Sequence, residues 1–333
     1  MTYSTGGLIQ ATDFNTFVST GSPNLNNIWS TGSTDSGWGQ TALSTVSSGG
    51  TVSATNWASL VNTLASAGSQ TNTTITSRTA PTTGTLVQVL ANVSADITSI
   101  NTNRGNASVV GSTSTTWTGN AAKTTNTGSG TAAWTITWTQ TVTFASADAA
   151  RYFWNAGGRV YVTMNKSSTG LDSDADWNTF VGKVGTISFT GRVNSASQNL
   201  AGTVYTGTTR TGGTGGTQTT LATTTGWYSL TGGAAATEIF KLTNDLSPYT
   251  GDTIVITAAV NAGRTVLTLV TTWNSAARTG AGQNTQITGG TDTASPFTAY
   301  GTAPAVLTRF VPPSTTYLTT ASWGTPAVAS SVA

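Results

Sequence analysis

Strict alternation of polar and apolar residues marks the chain from about residue 109 onward. In residues 134–144 every second residue is Thr, and the residues between them are apolar except Gln140. Successive side chains of a strand point to opposite faces, so this pattern predicts a long, half-buried strand. Similar alternation recurs in residues 160–164, 187–189, 254–256 and 266–270, and helices are predicted at 146–156 and 174–184.

The first 108 residues follow a helical pattern and contain an internal repeat. Gly6 aligns with Gly49 and Phe14 with Trp57 at a constant offset, and the residues between them match or change conservatively. In each copy a Thr followed by Asp or Asn precedes aromatic and aliphatic residues spaced three and four apart. This spacing predicts a capped helix in each copy, which a duplication explains most simply.

A third helix is predicted from about residue 84 to 103. Its apolar residues are spaced four, three, four and three apart, as in a short heptad seam: Leu86, Leu90, Val93, Ile97 and Ile100. Two interpretations follow from this spacing. The helix packs on its own domain, or the seam is an oligomer interface that forms a trimer.

These patterns predict a mainly β fold. We expect antiparallel β-sandwich or jelly-roll-like domains with short inserted helices, preceded by a small helical N-terminal region. The expected boundaries are 1–108 for the helical docking region and 109–333 for the sandwich region, with a further division near residue 200. Gly/Thr runs at 206–225 and 279–294 predict exposed loops, and the apolar tail from residue 303 is expected to close a sheet or contact a neighbour.

Charged residues are scarce, which limits the kinds of partner that the chain is expected to bind. Charged residues make up 7% of the chain and the net charge is +2, without a basic cluster, so we expect no nucleic-acid binding. No apolar run approaches the roughly 18 residues that a membrane span needs, so we expect no membrane contact. Residues 1–16 lack a secretory pattern, which predicts folding in a cytoplasm.

The chain also lacks most residues used in catalysis. It contains 0 His, 0 Cys and a single Glu, Glu238. Imidazole and thiolate chemistry are therefore excluded, together with the metal centres that depend on these ligands. We expect a protein that is not an enzyme and that uses no cofactor.

One acidic cluster imitates the start of a calcium loop. Asp172, Asp174 and Asp176 occupy alternate positions, but Trp177 stands where the loop needs Gly and Lys183 where it needs Glu. Capping of the helix that begins there is the favoured interpretation, and a bound cation is the weaker one.

Aromatic residues near the Gly/Thr runs are candidates for binding a sugar. Trp227, Tyr228 and Trp273 are these candidates, and the alternative for each is a place in the core.

Residues 146–160 read Ser-Ala-Asp-Ala-Ala-Arg-Tyr-Phe-Trp-Asn-Ala-Gly-Gly-Arg-Val. This segment resembles one found in virion structural proteins of marine tailed bacteriophages, including cyanophages. Residues 176–189 and the N-terminal residues 7–15 and 38–43 continue the resemblance. It implies a role in the particle, and no functional residue transfers with it.

Three functions follow as expectations. The first is a non-enzymatic tail, baseplate or fibre-type appendage protein that docks by its N-terminal region. The second is a capsid-decorating or head-fibre protein, and the third is an adhesin that attaches to a host-surface glycan. The expected partners are other virion proteins and further copies of the chain, with a trimer favoured because uncharged sheet edges invite pairing. The expected location is the virion, after synthesis in the host cytoplasm.

Overall fold

A computed structural model describes most of the chain and shows mainly antiparallel β-sheets with a few short helices. This confirms the predicted fold class at that level. The described residues are 10–84, 92–113, 134–167, 172–247, 249–276 and 304–333. The predicted loop at 279–294 lies outside them.

The helices before the first strand come from the repeat and the segment after it. They are α1 (Ala11–Asn15), a π-helical turn (Thr16–Thr20), α2 (Leu25–Trp29), α3 (Ala54–Thr71) and α4 (Val93–Thr102). The two repeat copies pack on each other, because the ring centroids of Phe14 and Trp57 are 5.4 Å apart in an edge-to-face arrangement. Ser53 caps α3 by accepting a hydrogen bond from the Asn56 backbone N–H.

The third helix begins later than predicted. Gly84 has φ +85° and Asn92 has φ 62°, so neither residue is in a right-handed helical conformation, and α4 begins at Val93. A left-handed residue cannot lie inside an α-helix, which is why the heptad spacing overestimates the length here. Leu86 and Leu90 lie outside the described residues.

The strands form two main sheets and one small hairpin. Two helices, α5 (Ala147–Asn155) and α6 (Asp172–Val184), and two 3₁₀ turns, Val193–Ser195 and Trp227–Ser229, connect them. The strands are β1 (Trp134–Thr143), β2 (Arg159–Asn165), β3 (Thr186–Thr190), β4 (Gln198–Leu200), β5 (Thr203–Tyr205), β6 (Thr208–Thr211), β7 (Thr217–Leu221), β8 (Thr237–Thr243), β9 (Thr253–Val260), β10 (Val266–Ser275), β11 (Ala305–Val311) and β12 (Ala327–Val332).

The order of the larger sheet is β12-β1-β10-β9-β8-β7, and that of the smaller is β11-β2-β3-β6. Neighbouring strands in both are antiparallel. The tail therefore supplies the outermost strand at one side of each sheet, as expected, because β11 pairs with β2 and β12 pairs with β1. The prediction of an exposed loop at 206–225 is wrong for the residues of β6 and β7, which form strands. Thr is β-branched and favours strands whose backbones pair with a neighbour. The low apolar content of this segment gave no sign of that pairing.

The two main sheets contact each other across a buried layer. Gln140, the one polar residue on the apolar face of β1, donates through Nε2 to the Val306 carbonyl at 2.9 Å and accepts from the Thr308 hydroxyl. The indoles of Trp138 and Trp273 lie 4.8 Å apart in the same layer, and Trp177 of α6 stacks on Trp273 at 5.4 Å. A buried amide is tolerated here because both of its ends have partners.

One continuous hydrophobic cluster runs from Phe14 in the first helix to Trp323 in the tail. It crosses the predicted boundary at residue 108, so the helical region and the sheets share a core. Gln40 reinforces the junction by accepting from the backbone N–H of Thr319 at 2.8 Å and of Thr320 at 3.0 Å. The division into domains stays a prediction. None of the helices in the described residues has the length and apolar character to cross a membrane.

Candidate functional site

A cavity of about 450 Å³ lies between the first turn of α5 and the turn that connects β9 and β10. Two aromatic residues, two arginines and one carboxylate line it: Trp227, Tyr228, Arg151, Arg264 and Asp148. The chain contains only 13 Lys and Arg residues, so two of them at one cavity is a notable local concentration of positive charge.

The local sequence explains how α5 presents its polar residues. Ser146 caps the helix by accepting from the Ala149 backbone N–H at 3.0 Å, which fixes the first turn. Asp148 and Arg151 are one turn apart and form an ion pair at 2.7 Å. The Asp148 side chain is 58% exposed and that of Arg151 is 12% exposed, so the carboxylate faces solvent and the guanidinium is mostly covered.

Arg264 is held from the opposite side. Its Nη1 donates to the Leu230 carbonyl at 2.9 Å, and its Nη2 donates to the Trp227 carbonyl at 2.7 Å. Its guanidinium lies 5.2 Å from the ring centroid of Trp227 and 6.0 Å from that of Tyr228. These contacts fix the orientation of the cation over the aromatic pair.

The ionisation of the site follows from its burial. Desolvation raises the pKa of Tyr228 well above its usual range, and the negative charge of Asp35 raises it further. The phenol therefore keeps its proton and donates to Asn155 Oδ1 at 2.7 Å. Burial lowers the pKa of Arg264, but a guanidinium stays charged at neutral pH because its ordinary pKa is so high.

The cavity presents hydrogen-bonding groups beside aromatic rings. Of the residues that line the cavity, Asp148 is the only carboxylate, and it is already paired with Arg151. Guanidinium donors and a carboxylate acceptor beside aromatic rings provide hydrogen-bond partners for a hydroxyl-rich molecule. A saccharide is the ligand class that these groups fit.

The structure brings two of the three predicted sugar-binding residues together. Trp227 and Tyr228 line the cavity, although Trp227 is only 1% exposed. Trp273 is 0% exposed and packs between the sheets, so it cannot contact a ligand from solvent. Sequence patterns missed Arg151 and Arg264, because the cavity is assembled from segments far apart in the chain.

The acidic cluster lies at the start of α6. The helix begins at Asp172, and Asp176 is buried, where its Oδ2 accepts from Asn244 Nδ2 at 2.7 Å. The side chains of Asp172 and Asp174 lie outside the described ones. The described side chains include no group of three His, Cys, Asp or Glu residues that could hold a metal ion.

The predicted oligomer seam faces inward in the described part of the chain. Val93 and Ile97 are 1% exposed and Ile100 is 0% exposed, and all three belong to the core cluster. A partner helix therefore cannot reach these side chains in the folded chain. This placement corresponds to the alternative interpretation, in which the helix packs on its own domain.

A second exposed feature is the edge of the larger sheet. β12 has the uncharged sequence Ala-Val-Ala-Ser-Ser-Val, and its side chains alternate between exposed and half-buried. Ala333 exchanges both backbone hydrogen bonds with Thr137, at 2.8 and 2.9 Å. Because bonded pairs recur at every second residue in an antiparallel ladder, the N–H groups of Val328, Ser330 and Val332 point away from β1. In the described residues no strand pairs with that outer side.

The chain has no match among protein-family models, curated proteins or solved structures.

Proposed function

We propose that this chain is a non-enzymatic structural subunit of a bacteriophage particle that joins further copies of itself through its sheet edges. Within the particle, a tail, baseplate or fibre-type appendage that docks by its N-terminal region is the favoured position. A capsid-decorating or head-fibre protein is the alternative. The resemblance of residues 146–160 and 176–189 to virion proteins supports the particle, and the sheet edge supports the association.

The outer edge of β12 is the observation that carries this proposal. An edge strand presents unpaired N–H and C=O groups, and soluble proteins usually protect such edges with charges, prolines or covering segments. β12 contains neither a charge nor a proline. The opposite edge, β7, reads Thr-Gln-Thr-Thr-Leu and is also uncharged.

Two different uncharged edges on one sheet also indicate how copies would join. If β12 of one copy pairs with β7 of the next, the contact is head-to-tail, and such contacts form a ring when the rotation between copies closes and a filament when it does not. A trimer is the favoured ring, although it would form through sheet edges and not through Val93, Ile97 and Ile100. The finer fold belongs to the same proposal: the two contacting sheets fit a β-sandwich with jelly-roll-like character.

The location in a particle is tested on particles themselves. Virions are purified by density gradient from the source of this sequence and digested for mass spectrometry, with a non-structural phage protein as the negative control. We expect peptides of this chain to co-purify with the major capsid protein at a fixed ratio. Immunogold labelling then separates tail from head. Peptides that stay in the soluble fraction would overturn the particle assignment.

The cavity favours a second candidate function, an adhesin that binds a host-surface glycan. Its test is a glycan array probed with the wild-type chain and with Arg151→Gln, which removes a half-buried cation from the cavity. A match between Arg151→Gln and the wild type on every bound glycan would exclude this cavity. Arg192→Gln serves as the control, because Arg192 does not line the cavity.

A further inference from the structure

Two arginines on the smaller sheet have buried donors without partners. Arg159 is 9% exposed, and neither its Nε nor its Nη1 has a hydrogen-bond partner. Arg309 is half-buried, and its Nε is likewise buried without a partner. Burying a polar group without a compensating bond costs about 1–3 kcal/mol, and more for a charged group. Unsatisfied donors on two cations of one sheet therefore need an explanation.

The strand register places these donors together. Arg309 of β11 lies directly opposite Tyr161 of β2, and Tyr161 lies directly opposite Ser188 of β3. Arg159 is two residues before Tyr161 on the same strand, so all four side chains share one face of the sheet. Ser188 Oγ is a further buried atom without a partner. The face thus carries a cluster of four unsatisfied polar atoms.

The residues that pack over Arg159 compensate its positive charge only in part. Tyr205, from the β4–β5 hairpin, lies over the guanidinium at 4.9 Å, and Tyr161 lies at 5.4 Å from it. The two phenol oxygens are 3.3 Å apart and share one hydrogen bond. Ring faces attract the cation, and the Tyr161 side chain also bonds to Arg159, but Nε and Nη1 of Arg159 remain without a hydrogen-bond partner.

No carboxylate among the described side chains supplies a countercharge. Each of them bonds to another group: Asp13 to the Gln10 backbone, Asp35 to Arg104, Asp96 to Arg78, Asp148 to Arg151, Asp176 to Asn244, Glu238 to Thr220, Asp245 to Lys183 and Asp252 to Ser275. The positive charge of this face is therefore not balanced within the described residues.

We propose that Arg159 and Arg309 bind a small tetrahedral oxyanion, sulfate or phosphate, on the outer face of the four-stranded sheet. Two guanidiniums from the neighbouring strands β11 and β2 offer donors from more than one direction, and the Ser188 hydroxyl lies on the next strand, β3. Such a donor set fits an anion with four oxygens better than a carboxylate, which one arginine can bind in a bidentate manner. The bound anion fixes β11 to β2 and completes the hydrogen bonding of this face.

The tyrosines take part as neutral donors. Burial, helped by the hydrogen bond to Tyr205, raises the pKa of Tyr161 to about 12. The Tyr161 phenol therefore stays protonated at neutral pH, and its hydrogen bond with the Tyr205 hydroxyl uses one proton of the pair. The remaining proton is available to an oxyanion oxygen.

The test is thermal unfolding in sodium sulfate, sodium phosphate and sodium chloride at matched ionic strength. An anion that binds only the folded chain raises Tm in a saturable way. We expect the Tm of the wild type to rise to a plateau as sulfate or phosphate is added. The anion that reaches the plateau at the lower concentration identifies the natural ligand. Titration calorimetry with each anion should show binding that Arg309→Gln weakens about tenfold or more, the loss expected for one charge-assisted bond.

Two further variants keep the test decisive. Arg159→Gln should lose the saturable rise in Tm. If Arg159→Gln does not fold, Arg309→Gln tests the anion site instead, because Arg309 is only half-buried. Arg192→Gln is the matched control, since Arg192 lies outside this face and the cavity and donates to the Thr224 carbonyl, and it should keep the full anion response. Sulfate also stabilises proteins without binding. An equal, non-saturating response in the wild type and in Arg309→Gln would overturn the proposal.

Discussion

Two buried arginines show how differently the same side chain is accommodated in two regions of this molecule. Arg104, where the helices meet the sheets, is 7% exposed, and Arg159, on the smaller sheet, is 9% exposed. Arg104 donates to the Asp35 carbonyl at 3.0 Å, to the Asn101 carbonyl at 2.8 Å and to Asp35 Oδ1 at 2.7 Å. Arg159 has two tyrosine rings beside it, and its Nε and Nη1 have no hydrogen-bond partner.

The difference concerns where each region finds its polar partners. Asp35 also accepts from the Asn194 backbone N–H at 2.6 Å, so the Arg104 network ties an N-terminal loop, the end of α4 and the sheet region together. Arg104 therefore finds its partners within one chain. The outer sheet face around Arg159 and the β12 edge leave donors unused, as expected for surfaces that meet something outside the chain.

The largest effect is expected where the internal network is broken. Arg104→Met removes a buried cation and leaves Asp35 without its partner, so the free energy of unfolding should fall by about 3–5 kcal/mol. Urea unfolding measures this loss. The double variant Arg104→Met/Asp35→Asn should recover part of the loss, because the unpaired charge is then gone. A loss below about 1 kcal/mol would contradict the structural role of the network.

A smaller effect is expected at the amide between the sheets. Gln140→Leu keeps a similar volume but leaves the Val306 carbonyl and the Thr308 hydroxyl without their partner. The free energy of unfolding should fall by about 1–3 kcal/mol. The double variant Gln140→Leu/Thr308→Val is the control, and it should be more stable than Gln140→Leu alone.

Arg159→Met should be almost neutral in chloride buffer, within about 1 kcal/mol of the wild type, despite a burial close to that of Arg104. An unsatisfied buried cation can be replaced by an apolar side chain of similar length at little cost. Urea unfolding at equal ionic strength compares the variants. In phosphate or sulfate the wild type should gain stability relative to Arg159→Met. A loss in chloride as large as that of Arg104→Met would remove the distinction between the two regions.

The smallest effect concerns alkaline pH. The pKa of Tyr161 is raised from 10.0 to about 12 in the folded chain, so the unfolded chain loses this proton first. Its contribution to stability is therefore fully present below pH 10 and is lost as the pH rises toward 12. Tm measured from pH 9 to 12 should fall less steeply in Tyr161→Phe than in the wild type. Identical slopes would show that Tyr161 is not shifted.

Local pattern was sufficient to predict some elements. The alternation in residues 134–144 corresponds to β1, and the repeat corresponds to two packed helical segments with Phe14 and Trp57 in contact. Both signals are short-range, because strand faces and helix faces repeat every few residues. The strands β6 and β7 were missed because their pairing, and not their apolar content, defines them.

The candidate sites depend on distant parts of the chain. Arg159 and Arg309 come together through the register of β2 with β11, and the cavity joins α5 to the turn at Arg264. No local period encodes such pairings. The scarcity of charge is the one sequence signal that draws attention to these arginines.

Edge association is tested most directly by the solution mass of the purified chain from light scattering. Ser330→Pro removes an N–H on the outer side of β12 without removing a bond to β1, and Ser330→Ala is its matched control. Edge pairing predicts an oligomer, with a trimer favoured, for the wild type and Ser330→Ala, and a monomer for Ser330→Pro. A monomeric wild type, or an oligomer that Ser330→Pro leaves intact, would contradict it.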